Sequence, residues 1–342
     1  MSNREYPGNN MLHTIAAVRN KIASGAYLLL AGSEQALRQL PKGNWIGGTT
    51  PYFMAQEGGV CSESQIFVTE VPACAVEVRI GEYTVQNLPL LCTHAPENGF
   101  SFIIIPAGSP AHIAYAQDAP AYEGMFVKTV VGWIAGVHTS LIGKQPPRVF
   151  SGLSGRNSAE HAVVMHVALP QNKFAELDIV NVFEPGSGDA ITFPSAGFSA
   201  QQFLIDGKPT SFARYLSDIG HDSRLPLTAD YNGSVVNVSL QSVDAETGTV
   251  KFYAPVFPNV EYRLARPMPD YVAAFESAIR RHQGAAAFSC GCILNYLYAE
   301  LEGKRTGLTG PVTFGEIAHQ LLNQTVVRLM IRNVISKRTG QA

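Results

Sequence analysis

The residues best suited to chemistry lie near the carboxyl-terminal end of the sequence. An apolar run, 285–288, leads into Ser289-Cys290-Gly291-Cys292, and a helix-like segment follows over 293–302. A thiol at the amino end of a helix feels the positive end of the helix dipole, which lowers its pKa, and free N–H groups there bind carboxylates or phosphates. Cys290 and Gly291 therefore fit three interpretations: a ligand-binding wall, a nucleophilic thiol, or a buried structural cysteine.

A nucleophilic thiol needs a base, and one histidine follows at a suitable distance in the sequence. His319 lies three residues after Glu316, and both come from a segment that could approach Cys290 if the strands are neighbours. A Cys-His-Glu arrangement would suit acyl transfer. The pair Cys290 and His319 is therefore the candidate for catalysis, in a hydrolase or transferase.

The same segment also contains groups that suit binding rather than catalysis. Glu316, next to Gly315, could accept backbone N–H groups or bind an ammonium group of a ligand, and Asn323 and Gln324 offer both donors and acceptors. The alternative is turn chemistry, because polar side chains commonly satisfy the backbone of loops. We expect these four residues to form part of a ligand-binding wall.

A second glycine-rich turn lies in the first half of the chain. Trp45-Ile46 runs into Gly47-Gly48-Thr49-Thr50-Pro51, so a strand ends in two glycines. Paired glycines allow a close approach of the backbone, either to a ligand or simply within a tight turn. We expect Gly48 and Thr49 to contribute to the same binding site from the other half of the chain.

The histidines and cysteines form no recognisable metal motif. His161 and His166 are five residues apart in a strand-like run, so their side chains point to opposite faces. The sequence contains no zinc-ligand spacing, and we predict no metal and no cofactor. Haem stays open as an alternative, because one axial His or Cys leaves no sequence signature.

The elements that would position these residues alternate between short strands and a few helices. Apolar residues at helical spacing predict a helix over 11–24 that ends before Gly25, and Ser33 can cap another. Asp270 can cap an amphipathic helix over 270–282. Strands are expected over 27–31, 66–69, 75–80, 102–105, 126–138, 161–169, 177–183 and 326–331.

This pattern predicts a mixed α/β (α+β) protein made of two strand-rich modules that form one unit. The loop Glu184-Pro185-Gly186-Ser187-Gly188-Asp189 is rich in turn residues. We therefore place the modules at 11–188 and 189–335.

Composition restricts the class of protein. The chain has 342 residues, of which 46% are hydrophobic and 15% charged, with a formal net charge of -2. It lacks the basic blocks expected of a nucleic-acid-binding protein, and its apolar windows are too short to cross a membrane. The first ten residues do not form a signal sequence, and the five cysteines show no disulfide framework, so we expect a cytoplasmic protein with reduced thiols.

Four segments of the second half resemble motifs of FIST domain proteins. Gln202–Pro209 is similar to their E-L-D-G-K-P segment, and Phe288-Ser289-Cys290-Gly291 is similar to a strand ending in Ser-Cys. Thr313–Ile317 resembles T-Y-G-E-I, and Asn323-Gln324-Thr325 resembles H-N-Q-T. The order and approximate spacing of all four agree, and the resemblance covers about residues 202–328.

The resemblance implies an intracellular sensory or input domain that binds a small ligand and acts with a signalling protein. Together with the residues above, it predicts that a small polar metabolite, such as an amino acid or a carboxylate, binds in a cleft between the modules. The alternatives are a cysteine-dependent hydrolase or transferase that uses Cys290, and a protein-interaction module. The oligomeric state is not predicted.

Overall fold

The chain folds as a mixed α+β protein, described here from a computed structural model that covers residues 11–231, 234–282 and 285–334. The first ten residues, judged above to contain no signal sequence, and Ile335 at the predicted module end lie outside these ranges. The helices are α1 (Ile15–Ala23), α2 (Glu34–Leu37), α3 (Pro110–Asp118), α4 (Phe212–Asp218), α5 (Tyr271–Arg281) and α6 (Ile293–Tyr298). Single turns of 3-10 helix span Leu88–Leu90, Ala119–Ala121 and Thr139–Leu141.

Strands dominate the first half of the chain. They are β1 (Met11–Thr14), β2 (Leu28–Gly32), β3 (Trp45–Thr49), β4 (Tyr52–Ala55), β5 (Gly58–Cys61), β6 (Gln65–Glu70), β7 (Glu77–Tyr83), β8 (Gly99–Pro106), β9 (Thr129–Ala135), β10 (Val149–Ser151), β11 (Arg156–Ser158), β12 (Ala162–Ala168) and β13 (Lys173–Asn181).

The second half continues with shorter strands. They are β14 (Ile191–Thr192), β15 (Gly197–Ala200), β16 (Gln202–Ile205), β17 (Lys208–Ser211), β18 (Leu227–Tyr231), β19 (Ser234–Val238), β20 (Leu240–Asp244), β21 (Thr249–Val256), β22 (Tyr262–Leu264), β23 (Phe288–Cys292), β24 (Gly310–Thr313), β25 (Glu316–Ala318), β26 (Gln320–Leu322) and β27 (Thr325–Asn333).

These strands form five sheets. In spatial order, sheet I is β1-β6-β2-β3-β10-β11, sheet II is β26-β25-β9-β8-β12-β7, and sheet III is β13-β27-β23-β24-β4-β5. Sheet IV is β17-β16-β14-β22-β18-β19, and the smaller sheet V is β15-β21-β20. Most neighbouring strands are antiparallel, and the parallel pairs are β2/β3, β8/β9 and β23/β24.

Sheets I, II and III pack around one hydrophobic core. Leu29 and Ile46 contribute to it from sheet I, Trp133 from sheet II, and Phe288 and Val327 from sheet III. Sheets IV and V have a core of their own, centred on a group of mutually contacting aromatic rings. Strands from both sides of residue 188 pair within sheets II and III, so the two predicted modules share these sheets.

The helix starts show which local signals determine structure. The Ser33 hydroxyl accepts the N–H of Ala36 at 3.1 Å, and the Asp270 carboxylate accepts the N–H of Ala273 at 2.9 Å, so both predicted caps are confirmed. The helix predicted over 11–24 is wrong in its first turn. Residues 11–14 form β1, which pairs with β6, and the helix begins only after Thr14.

Candidate functional site

A pocket of about 270 Å³ opens where sheets I and II meet. It lies beyond the carboxyl ends of the parallel strands β2 and β3 and next to the carboxyl end of β9. Crevices in this position are the usual ligand sites of parallel sheets. We call it the Thr49 pocket; it is lined by Ser33, Glu34, Gln35, Thr49, Thr50, Pro51, Glu63, Gly136, Val137, His138, Leu141 and Gln145.

The floor of the pocket is built by the last residue of β3, Thr49, and by Thr50 after it. Thr49 accepts the N–H of Gly136 through its carbonyl oxygen at 2.7 Å, which joins the ends of β3 and β9. The Thr49 hydroxyl accepts the N–H of Arg148 at 2.9 Å. The Thr50 hydroxyl donates to the carbonyl oxygen of Val312 at 2.6 Å, so the floor is also tied to sheet III.

One side of the pocket is fixed by the carboxylate of Glu34. Its Oε1 atom lies 2.5 Å from Nη2 of Arg38 and 3.0 Å from Nε of Arg148. Its Oε2 atom accepts a hydrogen bond of 2.9 Å from the side-chain amide of Gln145. This carboxylate is therefore fully engaged and orders the wall between α2 and the loop that carries Gln145.

The opposite side is formed by His138, just beyond the end of β9. Its ring stacks on Tyr52 with centroids 5.6 Å apart, and the Tyr52 hydroxyl accepts the N–H of Thr139 at 3.1 Å. Nδ1 of His138 accepts the N–H of Ser140 at 3.3 Å and lies 2.8 Å from its hydroxyl. These contacts hold the imidazole in one orientation.

The Thr-Phe-Gly-Glu-Ile motif supports this wall from behind. Phe314 packs directly on the backbone of Gly136, so that a Cβ atom there would overlap the ring. The N–H of Phe314 donates to the carbonyl oxygen of Ile134 at 3.0 Å. The N–H of Ile134 in turn donates to the carbonyl oxygen of Gly315 at 2.8 Å. Gly315 thus supports the wall through its backbone without lining the pocket.

Cys290 lies in the hydrophobic core, away from this pocket. It is fully buried in β23, and its thiol donates to the carbonyl oxygen of Gly132 at 3.4 Å. Burial, with smaller contributions from Glu316 and Cys292, raises its pKa well above that of an ordinary thiol. The helix predicted from residue 293 does begin there as α6, and its N-cap residue is Cys292 rather than Cys290.

His319 and Cys290 have different partners. His319 occupies the turn between β25 and β26, where its φ is +63°. Its Nδ1 atom lies 3.0 Å from the carbonyl oxygen of Met125, its ring faces Phe126, and burial lowers its pKa. Since the Cys290 thiol is engaged with Gly132 and His319 with Met125, these two residues do not form the predicted nucleophile–base pair.

Glu316 is buried between sheets II and III. Its Oε2 atom accepts hydrogen bonds from the hydroxyl and N–H of Thr325, at 2.7 Å and 3.2 Å, and the Cys292 thiol also bonds to the carboxyl group. Oε1 is buried without a hydrogen-bond partner among the described residues. Burial raises the pKa of Glu316 from 4.5 to about 8, so the group is mostly a neutral acid at pH 7.

Asn323 and Gln324 belong to a buried polar network that connects sheet III to the region of sheets IV and V. The Ser239 hydroxyl lies 2.7 Å from Oδ1 of Asn323 and 2.5 Å from Oε1 of Gln324. The Gln324 amide donates to the carbonyl oxygen of Arg224 at 2.9 Å and to the Tyr271 hydroxyl at 3.2 Å. Both side chains are almost completely buried.

The remaining predicted wall residues are glycines inside the fold. A Cβ atom on Gly48 would lie 2.5 Å from Ile104 and 2.9 Å from Nε1 of Trp133, so this glycine permits close packing of sheet I on sheet II. Gly291 lies in β23 beside Val326. Of the eight predicted ligand-binding residues, Thr49 lines the pocket, while the others lie in the core or support the wall.

Three important pocket residues were not singled out from the sequence: Glu34, His138 and Gln145. A usable signal was present for two of them, because Glu34 and His138 each lie close after a buried strand that forms a parallel pair. The ends of such strands converge at one edge of a sheet. Gln145 has no comparable signal, since its place depends on the path of a loop.

Two further properties bear on the class of protein. Within the described ranges, no group of three or more His, Cys, Asp or Glu side chains is arranged to hold a metal ion. His166, one of the histidines weighed above, instead lies 2.7 Å from the Ser101 hydroxyl and 2.9 Å from the Tyr83 hydroxyl. No described helix is both long and apolar enough to cross a membrane.

Comparison with known proteins identifies a family to which the sequence is similar. Residues 13–332 match the model of a family described as "Family of unknown function (DUF6976)". No curated protein matches the chain.

Proposed function

We propose that this chain, which belongs to the DUF6976 family, binds a small polar metabolite, such as an amino acid or a carboxylate. The binding site is the Thr49 pocket, and ligand binding serves a sensory or input role. The site thus lies within residues 33–145, rather than in the cleft between modules expected from the sequence.

The position, the volume and the lining residues of the pocket support this proposal. It lies at the carboxyl ends of parallel strands, where backbone and polar side chains converge. A volume of about 270 Å³ suits a metabolite smaller than a drug-sized ligand, for which pockets begin at about 300 Å³. Most of its side chains are polar, and Glu34 and His138 are held by neighbours, which lowers the cost of ordering them on binding.

A binding role is favoured over cysteine chemistry. Catalysis by Cys290 would require a thiolate in reach of substrate, but this thiol is fully buried and its pKa is raised. The interaction-module alternative has one supporting observation, since Phe126 and Val127 form an exposed apolar turn, at 62% and 84% exposure. We place it second.

The cellular context of the proposal follows from the thiols and from the FIST resemblance. All five cysteines are free, which favours a reducing compartment, and we propose a cytoplasmic location. The resemblance favours a signalling protein as the partner that responds to the ligand. Neither nucleic acid nor membrane is part of the proposal, and no cofactor is required for ligand binding.

A thermal-shift screen tests the proposal. The purified chain is heated with each free amino acid and with a set of short carboxylates. A ligand present at 100 times its Kd should stabilise the folded state by about 2.7 kcal/mol, enough for a measurable rise in Tm. If no compound raises Tm, the chain does not bind this class of metabolite and the interaction-module alternative takes precedence.

A further inference from the structure

We infer that the Thr49 hydroxyl and the His138 Nε2–H group form a donor pair that binds a carboxylate of the ligand. The inference rests on the proposed function and names both the group that is recognised and the residues that determine specificity. Only some polar atoms of the pocket wall are still able to bond to a ligand.

Two of the hydroxyl groups in the wall are already used as donors. The Ser33 hydroxyl donates to the carbonyl oxygen of Glu63 at 2.7 Å and also accepts the N–H of Ala36. The Thr50 hydroxyl donates to the carbonyl oxygen of Val312 at 2.6 Å. Each hydroxyl has a single proton, so neither can donate to a ligand without breaking a bond that supports the pocket.

The Glu34 and Gln145 side chains are engaged with each other. Both oxygens of Glu34 have partners, and the Gln145 amide nitrogen is one of them. What remains of this pair is the second N–H of the Gln145 amide, which is uncharged, and its carbonyl oxygen, which accepts. This side of the pocket therefore provides one amide donor, on the wall opposite His138.

Thr49 is different, because its contact with the protein uses only its acceptor capacity. Its hydroxyl oxygen accepts the N–H of Arg148 at 2.9 Å, which leaves the hydroxyl proton available. The side chain is 3% exposed, and among the described residues its proton has no acceptor. A buried hydroxyl with an unused proton at the floor of a pocket favours a ligand atom that accepts a hydrogen bond.

His138 offers the second donor. The backbone N–H of Ser140 can only donate, so Nδ1 of His138 carries the lone pair, and the proton of the neutral ring lies on Nε2. Nε2 has no partner within the described ranges. The stack on Tyr52 fixes the ring, so this donor is ordered before a ligand arrives.

The charges around the wall are compatible with an anion. Two guanidinium groups, those of Arg38 and Arg148, converge on the single carboxylate of Glu34 behind the wall. The opposing charge of Glu63 is at the exposed rim, where solvent and salt weaken its effect. Two hydrogen-bond donors close to these guanidinium groups suit the two oxygens of a carboxylate better than they suit an ammonium group, which can only donate.

Ligand-observed NMR titrations with four matched probes test the inference: n-butyrate, butyramide, 1-butanol and n-butylamine. We expect butyrate to bind about tenfold more tightly than butylamine, the ratio that one charge-assisted hydrogen bond supplies. Thr49→Val should weaken butyrate binding by about tenfold and leave butylamine binding unchanged, whereas Thr49→Ser, which keeps the hydroxyl, should restore it.

His138→Phe should have the same selective effect as Thr49→Val, because it keeps an aromatic ring on Tyr52 and removes both nitrogens. Thr210→Val and His161→Gln, outside the pocket, are the matched controls. Equal or tighter binding of butylamine, or a Thr49→Val variant with unchanged butyrate selectivity, would overturn the donor pair while leaving pocket binding intact. If neither these probes nor any compound of the thermal-shift screen binds, the proposed function itself fails.

Discussion

Glu316 and Thr325 join two different sheets through a pair of hydrogen bonds to one carboxyl oxygen. The Thr325 hydroxyl donates to Oε2 at 2.7 Å and its N–H donates to the same atom at 3.2 Å, with Glu316 on β25 and Thr325 on β27. Glu316 is fully buried and has no cation among its bonded partners. The acid is thus a structural link that is most stable when it carries its proton.

This relationship predicts a specific pH dependence of stability. The folded-state pKa of about 8 is above the ordinary 4.5, so between these values the folded chain retains a proton that the unfolded chain has lost. The stabilising contribution is complete below pH 4.5 and is lost as the pH rises through 8. Linkage places it on the order of 5 kcal/mol.

Urea unfolding of the wild type and of Glu316→Gln, measured across this pH range, tests the prediction. The free energy of unfolding of the wild type should fall relative to that of the variant as the pH rises, because glutamine has no proton to lose. Glu57→Gln, at an exposed turn, is the control and should follow the wild type. Parallel curves for wild type and Glu316→Gln would show that folding does not raise the pKa of Glu316.

The thiols should differ in reactivity according to their burial. Cys61 and Cys74 are half-buried, whereas Cys92, Cys290 and Cys292 are buried. Because the thiolate is the reactive form and burial raises the pKa of Cys290, we expect iodoacetamide to modify Cys61 and Cys74 first. Peptide mass mapping of the native chain measures the order. Rapid labelling of Cys290 before unfolding would revive the hydrolase hypothesis.

Gly48 should be sensitive to substitution for reasons of packing. Its missing side chain allows Ile104 and Trp133 of sheet II to approach sheet I. Gly48→Ala should cost about 1–3 kcal/mol of stability through overpacking. Gly188→Ala is a matched control, since open space surrounds that position. Equal unfolding free energies for the two variants in urea would contradict the observed packing.

The Asn323-Gln324 network should be cooperative. Ser239→Ala removes the hydroxyl that Oδ1 of Asn323 and Oε1 of Gln324 share. Oδ1 of Asn323 keeps the backbone N–H of residue 239 at 3.0 Å, but Oε1 of Gln324 is left as a buried acceptor, which should cost about 1–3 kcal/mol. Ser242→Ala, exposed on β20, is the control. A double-mutant cycle with Asn323→Ala should give a coupling energy of at least about 0.5 kcal/mol. Strict additivity would mean that the two residues act independently.

The sequence predicted local features well. Asp270 and Ser33 were recognised as helix caps because a cap depends on residues three positions away. The mixed α+β class was likewise visible in the alternation of apolar runs. The strand at residues 11–14 was predicted as helix, because its pairing with β6, more than fifty positions away along the chain, overrides the helical spacing of its apolar residues.

The candidate site was harder to predict, because its parts come together only through sheet pairing. Thr49 reaches the pocket since β3 lies parallel to β2, and His138 reaches it because β9 ends beside Thr49. The sequence suggested ligand-binding roles for Glu316, Asn323 and Gln324, because the same polar residue types occur in buried structural networks and in ligand sites. Only the fold distinguishes a carboxylate that bonds to Thr325 from one that faces solvent.

We propose that the Thr49 pocket is where a small carboxylate binds. A crystal structure of the chain with the tightest compound from the thermal-shift screen tests it most directly. We predict ligand density in this pocket, with a carboxylate oxygen within about 3.2 Å of Thr49 Oγ1 and another within about 3.2 Å of His138 Nε2. Density for the ligand at any other place, with this pocket unchanged, would contradict carboxylate binding by Thr49 and His138.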